Sequence, residues 1–228
     1  MHLPHIGKGT NNRLAYFSKN LIRYITPKVW LHRRLNKVLA ELDKRPDKDY
    51  ILKRVEYYNR LQGVVPLDPA RAKPLALHKF GDAGSTYFFD SYEFTRWFSD
   101  SLKWCYLFGD VTHVPPVPSI VKSRPIEGDI ANSVLLNLDK VRHFTFIKDH
   151  IPFRKKMDKA IFRLSISEKP HRRRFVQMYF GHPMCDTGII SPLPDDPPEW
   201  VKKKITLYDH LVYKFVVSLE GNDVATST

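Results

Sequence analysis

The chain has 228 residues, 43% of them hydrophobic, and a formal net charge of +13. That length carries one large domain or two small ones with genuine cores, so disorder is excluded as the ground state. Two cysteines without a CxxC pair, and no His cluster at ligand spacing, exclude a disulfide framework and a structural zinc site and fit a reducing cytoplasm. The start has no compact apolar core with a small-residue cleavage site, and no run approaches the ~18 uncharged apolar residues of a membrane span, so a cytoplasmic chain is expected.

Charge is concentrated early. Residues 1–60 hold fourteen Lys/Arg against five Asp/Glu. Across 13–42 the apolar period is helical: Leu14, Phe17, Leu21 and Ile25 share one face and Leu35, Val38, Leu39 and Leu42 another, with Pro27 breaking between them. Arg13, Lys19, Arg23, Lys28, Arg33, Arg34 and Lys37 fill the other faces beside Tyr16, Tyr24 and Trp30. Such a segment is suited to an anionic membrane surface, and equally to packing on its own domain. Asp47 and Asp49, two apart, have the spacing that holds a divalent cation between phosphates, but no apolar strand precedes them.

Residues 64–74, with prolines and lysine, separate this segment from a region of mixed elements. The aromatic run 102–108 reads as a buried strand whose end, Gly109-Asp110, presents a carboxylate. Residues 111–125 hold four prolines and read as an ordered loop, excluded from a helix interior or a central strand. Residues 132–141 read as a helix, 143–147 and 159–163 as strands, and 171–180 as a helix with Phe175, Met178 and Tyr179 inward. A Pro- and Asp-rich loop at 191–198 leads to a helix at 207–213 and a last strand at 215–219. Alternating helices and strands predict an α/β sheet with ligands at the strand C-termini.

Four groups carry chemistry. Asp110, in a proline-stiffened loop, is placed to act as general base on an acceptor hydroxyl, although a Gly-Asp turn serves structure as readily. Lys122, Ser123 and Arg124 form a cationic loop able to hold an anion through charge-assisted hydrogen bonds, or an ordinary charged surface. Arg163 on an apolar strand is costly to bury unless it meets an anion. Arg172, Arg173 and Arg174 read as a diphosphate clamp, a nucleic-acid patch or a solvated face. No Walker-type loop, GxGxxG, GxSxG or HExxH is present.

The ordered blocks "GDVTHVPPVPSIVKSRPI", "NSVLLNLDKVRHF", "KDHIPFRKKMDKAIFR", "HRRRFVQMYFGHPMCDTG" and "YKFVVSLEGNDVAT" resemble the lipopolysaccharide-modifying branch of glycosyltransferase family 90. That family also includes capsule-associated proteins and protein O-glucosyl and O-xylosyl transferases. The resemblance implies an α/β, GT-B-like fold of two Rossmann-like lobes, with a basic helical segment at 1–63, an acceptor-side lobe at 75–155 and a partial donor-side lobe at 156–228. It implies metal-independent, inverting transfer from a UDP-sugar to the hydroxyl of a glycan or lipid-linked acceptor in lipopolysaccharide or surface-glycan assembly, at the inner face of the cytoplasmic membrane. No cofactor, metal or nucleic acid is expected.

Asp110 matches the family's catalytic carboxylate. Arg163 and Arg172 match its diphosphate-binding arginines, and Lys122, Ser123, Glu220, Gly221, Asn222 and Asp223 join them on the donor side. Two departures stand out. Leu164 replaces a glycine where the backbone would approach phosphate, implying obstruction of the donor. The residues that follow "EGNDVAT" in relatives are not met after Thr228, which reads as a truncated donor lobe with weak UDP-sugar binding. A non-catalytic binding remnant is the alternative reading, and a basic nucleic-acid-binding protein a third, for which no reading module is present.

Overall fold

A computed structural model describes residues 12–82, 84–125, 128–143, 147–166 and 169–220. Contacts divide the chain into two compact units with a boundary between residues 144 and 145.

The first unit opens on α1 (Arg13–Ile25), whose Asn12 side chain caps the first turn by accepting from the Ala15 N–H at 3.0 Å. Pro27 has no N–H to continue a helix, and the chain restarts as α2 (Val29–Ala40), followed after a 3₁₀ turn by α3 (Lys48–Tyr58). The residues around Asp47 and Asp49 thus enter a helix, and Asp47 pairs with Arg45 at 2.8 Å. Next come β1 (Lys73–Pro74), α4 (Ser85–Thr95), β2 (Lys103–Trp104), β3 (Tyr106–Leu107), β4 (Ser119–Val121), β5 (Ser133–Leu135) and the single turn α5 (Lys140–His143). β1 and β2 pair antiparallel, whereas β3, β4 and β5 form a parallel sheet in that order.

An aromatic core joins the layers of this unit. Phe88, Phe89 and Tyr92 of α4 are buried against Tyr16 and Phe17 of α1. On the strand side His78 lies 4.9 Å from the Phe88 ring and 4.8 Å from Trp104. α1 is also tied by polar groups: the Tyr16 hydroxyl donates to buried Asp90 at 2.8 Å, Arg23 pairs with Glu93 at 3.0 Å, and Arg96 donates to the Arg23 and Thr26 carbonyls. Asp90 accepts a further bond from the Lys140 N–H at 2.8 Å, so one carboxylate fastens α1 and α5 to α4.

The second unit contains β6 (Met157–Leu164), α6 (Pro170–Tyr179), β7 (Cys185–Ile189), α7 (Leu207–His210) and β8 (Tyr213–Val216). All three strands are parallel, ordered β7-β6-β8. Side chains alternate along β6, so Phe162 and Leu164 join Ile166, Val176, Ile189 and Trp200 in the core while Arg163 takes the opposite face. Pro170 suits the first turn of α6, where an N–H has no partner in any case.

Several sequence expectations need correction. Residues 119–121, read as part of a loop, form the central strand of the β3-β4-β5 sheet; the prolines at 115, 116, 118 and 125 flank those three residues without entering them. The helix expected at 132–141 is strand β5 followed by α5, because 133–135 pair with β4 and that pairing overrides the local apolar period. The run 102–108 is split by Cys105 into two short strands that join different sheets. In α6 Phe175 packs against the core and Tyr179 against Phe175, as expected, but Met178 is exposed and the buried positions are Arg172 and Val176. Residues 207–213 shorten to one helical turn, and Tyr213 already belongs to β8. Most of the strand expected at 143–147 lies outside the described residues.

Candidate active site

In the first unit, parallel pairing makes β3 and β4 deliver their following residues to the same sheet edge. Asp110 arrives after β3, through Gly109, whose φ of +108° favours a residue without a Cβ. Lys122 and Ser123 arrive after β4. The Lys122 ammonium donates to Asp110 Oδ1, and the Ser123 hydroxyl ties back to the Val111 carbonyl at 3.1 Å. The pair is asymmetric in exposure: the lysine side chain is 10% exposed and the aspartate 38%. An ammonium that deep needs a carboxylate beside it, which orients Asp110. Asp110 Oδ2 carries no hydrogen bond among the described residues, so one lone-pair-bearing oxygen stays available to accept a proton.

Aromatic rings flank this edge. Phe108 lies between Tyr106, at 4.5 Å, and Tyr87, at 5.3 Å, both nearly parallel to it. Burial raises the Tyr87 phenol above its ordinary value; Lys122 opposes that shift and Asp139 and Asp110 add to it. Arg124 donates to the Ser133 carbonyl at 3.1 Å and to the Tyr57 carbonyl, so its guanidinium braces β5 and α3.

In the second unit the chain passes from β6 to β7 on one side and then to β8 on the other, so a topological switch point lies between β6 and β8. Crevices outside the carboxyl ends of strands at such points receive ligands in open α/β sheets. Arg163 and Arg172 both belong to that end. Arg172, buried at the start of α6, donates through Nε to the Glu220 carbonyl at 2.8 Å, through Nη1 to Ser165 at 2.9 Å and through Nη2 to Leu219 at 2.7 Å. Three of its five N–H groups therefore stitch the ends of β6 and β8 together. Burial lowers its pKa.

Arg163 donates to the carbonyls of Phe162 at 3.0 Å and Asp186 at 2.9 Å, and pairs with the Asp186 carboxylate. The Tyr213 hydroxyl donates to the other oxygen of Asp186 at 2.5 Å. Burial pushes Asp186 upward, but the bonds from Tyr213 and Arg163 overcome it and the carboxyl ends below its ordinary value. Tyr213, desolvated and donating to that carboxylate, is pushed up to about 12. Gly188 makes room for the cluster: a Cβ there would lie 2.2 Å from Lys202 Cγ and 3.2 Å from Arg163 Nη1. The Arg163 Nε is buried without a hydrogen-bond partner among the described residues. Leu164, expected to crowd the donor, packs into the core on the face opposite Arg163.

The cationic loop of Lys122 and Ser123, expected on the donor side, meets Asp110, whereas Arg163 pairs with Asp186 of β7 and Arg172 bonds the carbonyls that follow β6 and β8. Glu220 is exposed and meets Arg172 through its backbone. Gly221, Asn222 and Asp223 lie outside the described residues. Asp186 and Tyr213 escaped the sequence reading; the one available signal was the need of strand-borne Arg163 for a counter-charge.

The described residues make an α/β protein with Asp110 and Lys122 on one parallel sheet edge and Arg163 and Arg172 near the carboxyl end of another. Comparison makes that specific: the chain is 33% identical over 218 residues to O-glucosyltransferase LpsA of Dichelobacter nodosus, covering 95% of this chain and 67% of that protein. The chain belongs to the family of this glycosyltransferase. No protein-family model and no solved structure matches it.

Proposed function

We propose that the chain acts as a metal-independent, inverting glycosyltransferase of glycosyltransferase family 90, with a GT-B-like arrangement, moving a sugar from UDP to the hydroxyl of a glycan or lipid-linked acceptor in lipopolysaccharide assembly at the inner face of the cytoplasmic membrane. The carrying observation is the 33% identity to an O-glucosyltransferase along 95% of the chain. Asp110 Oδ2 takes the proton of the acceptor hydroxyl as that oxygen bonds to the anomeric carbon. The bond from that carbon to the phosphate oxygen breaks on the opposite face, and UDP leaves with the electron pair. Inversion needs the base opposite the leaving group, a role for which an oriented carboxylate with one unengaged oxygen is suited. Arg163 and Arg172 offset the charge that grows on the departing diphosphate, as preorganised cations do at other developing anions.

The test is transfer from a panel of UDP-sugars, UDP-glucose included, to lipopolysaccharide lacking its outer sugars, read by mass spectrometry of the acceptor. A mass gain of one sugar with wild type and none with Asp110→Asn is expected. No gain with any donor overturns the reading.

A further inference from the structure

Residues 12–40 contain seven Lys/Arg and no Asp or Glu. Two of the seven are neutralised within the unit, Arg23 by Glu93 and Lys28 by Asp100. Arg13, Lys19, Arg33, Arg34 and Lys37 make no ion pair among the described residues. The apolar side chains of α1 divide as well. Tyr16, Phe17 and Tyr24 turn toward α4, which leaves a second stripe facing outward: Leu14 is 78% exposed, Leu21 55%, Ile22 63% and Ile25 71%. Their spacing of seven and then four keeps Leu14, Leu21 and Ile25 on one line of the helix. α2 has no buried residue, and its Trp30 is 75% exposed.

Single exposed aliphatics are ordinary, but an outward stripe on a helix already anchored by its other face is unpartnered apolar surface. We propose that α1 and α2 dock on an anionic lipid bilayer, with Leu14, Leu21, Ile22, Ile25 and Trp30 entering the headgroup boundary and the unpaired cations meeting lipid phosphates. Nucleic acid would use the cations and leave the aliphatic stripe wet, whereas an anionic bilayer uses both at once. The anchoring of α1 by Asp90, Glu93 and Arg96 means the surface is preformed rather than folded on contact. This deepens the proposed function by naming the surface that brings a membrane-borne acceptor within reach, and it does not need that function to be correct.

The test is co-sedimentation of the full chain with vesicles of phosphatidylethanolamine and phosphatidylglycerol, against vesicles of phosphatidylcholine, with Trp emission followed in parallel. Retention on the anionic vesicles alone is expected, with an emission blue shift that Trp30→Phe abolishes. Arg33→Gln/Arg34→Gln should weaken binding roughly 25-fold, at about fivefold per cation. Leu21→Gln/Ile25→Gln should weaken it about tenfold or more, with the melting temperature unchanged because both side chains face water. Absent retention, equal retention on neutral vesicles, or an unmoved Trp30 signal overturns the proposal. So does retention on duplex DNA in place of vesicles. Leu21→Gln/Ile25→Gln should still transfer sugar to a detergent-dispersed acceptor; absence of transfer in wild type with docking intact counts against the transferase reading and leaves the docking standing.

Discussion

At the scale of single residues, the second unit turns on how a mostly buried guanidinium is neutralised. Arg163 needs a carboxylate and finds it in Asp186, which Tyr213 holds from the other side. Replacing Asp186 by Asn leaves the arginine uncompensated and should cost roughly 1–3 kcal/mol in urea unfolding. The loss also has a pH signature. Because the folded carboxyl titrates below its ordinary value, its stabilisation is complete above the ordinary carboxylate range and fades as pH falls through the folded value; Asp186→Asn should lack that acid limb. The same substitution should bring Tyr213 down from about 12 toward the ordinary phenol value near ~10, read as phenolate absorbance against a Tyr213→Phe reference. The need of Arg163 for an anion was legible but its partners were not, since Asp186 and Tyr213 become neighbours of Arg163 only through the pairing of β7 and β8 with β6. The position of Asp110 after a strand was legible, because a carboxylate soon after an apolar run is a local signal. The pairing of Lys122 with Asp110 was not legible, because sequence distance does not reveal that β3 and β4 are adjacent.

At the scale of elements, α1 illustrates how a polar residue can organise a helix contact. Asp90 is buried with two donors aimed at it, the Tyr16 hydroxyl and the Lys140 N–H, and burial raises its pKa above the ordinary value. Asp90→Ala leaves both donors unsatisfied and should cost about 2–4 kcal/mol, with protection of the α1 amides lost first in hydrogen exchange. His78 gives the strand side a separate acid sensitivity. Its imidazole is packed among Phe88, Trp104 and Tyr106, bonded to Ser91 at 2.8 Å, and burial lowers its pKa to about 4 against the pull of Asp82. The unfolded chain therefore binds more protons between pH ~6.5 and about 4, so stability should fall across that window as pH drops, by up to roughly 3 kcal/mol. His78→Gln should flatten this part of a urea-unfolding pH series. The helical stretch at the start was legible because Pro27 and a 3.6-residue period are local signals. The central strand β4 was not, since three residues carry too little period to outweigh four neighbouring prolines.

At the scale of the whole molecule, the residues proposed for the chemistry divide between the units: Asp110, proposed as base, belongs to residues 11–144, and Arg163 and Arg172, proposed to offset the diphosphate, belong to 145–228. Such a division predicts that variants in the two units fail in different kinetic parameters. Asp110→Asn removes a proton acceptor needed only as the hydroxyl attacks, so kcat should fall by about 10²–10⁴ with the Kd for UDP unchanged. Arg163→Lys keeps the charge, and with it a counter-ion for Asp186, but removes the planar fork and the unpartnered Nε. Its effect should fall on the donor: UDP binds about tenfold or more weakly in isothermal titration, KM for the UDP-sugar rises, and circular dichroism matches wild type. Arg172→Lys is the control, because that guanidinium is already committed to the carbonyls of Ser165, Leu219 and Glu220 and its replacement should lower the melting temperature as well as donor affinity. If Asp110→Asn instead abolishes UDP binding while Arg163→Lys binds as wild type and lowers only kcat, the assignment of base and donor site to the two units is reversed and the mechanism proposed for Asp110 fails.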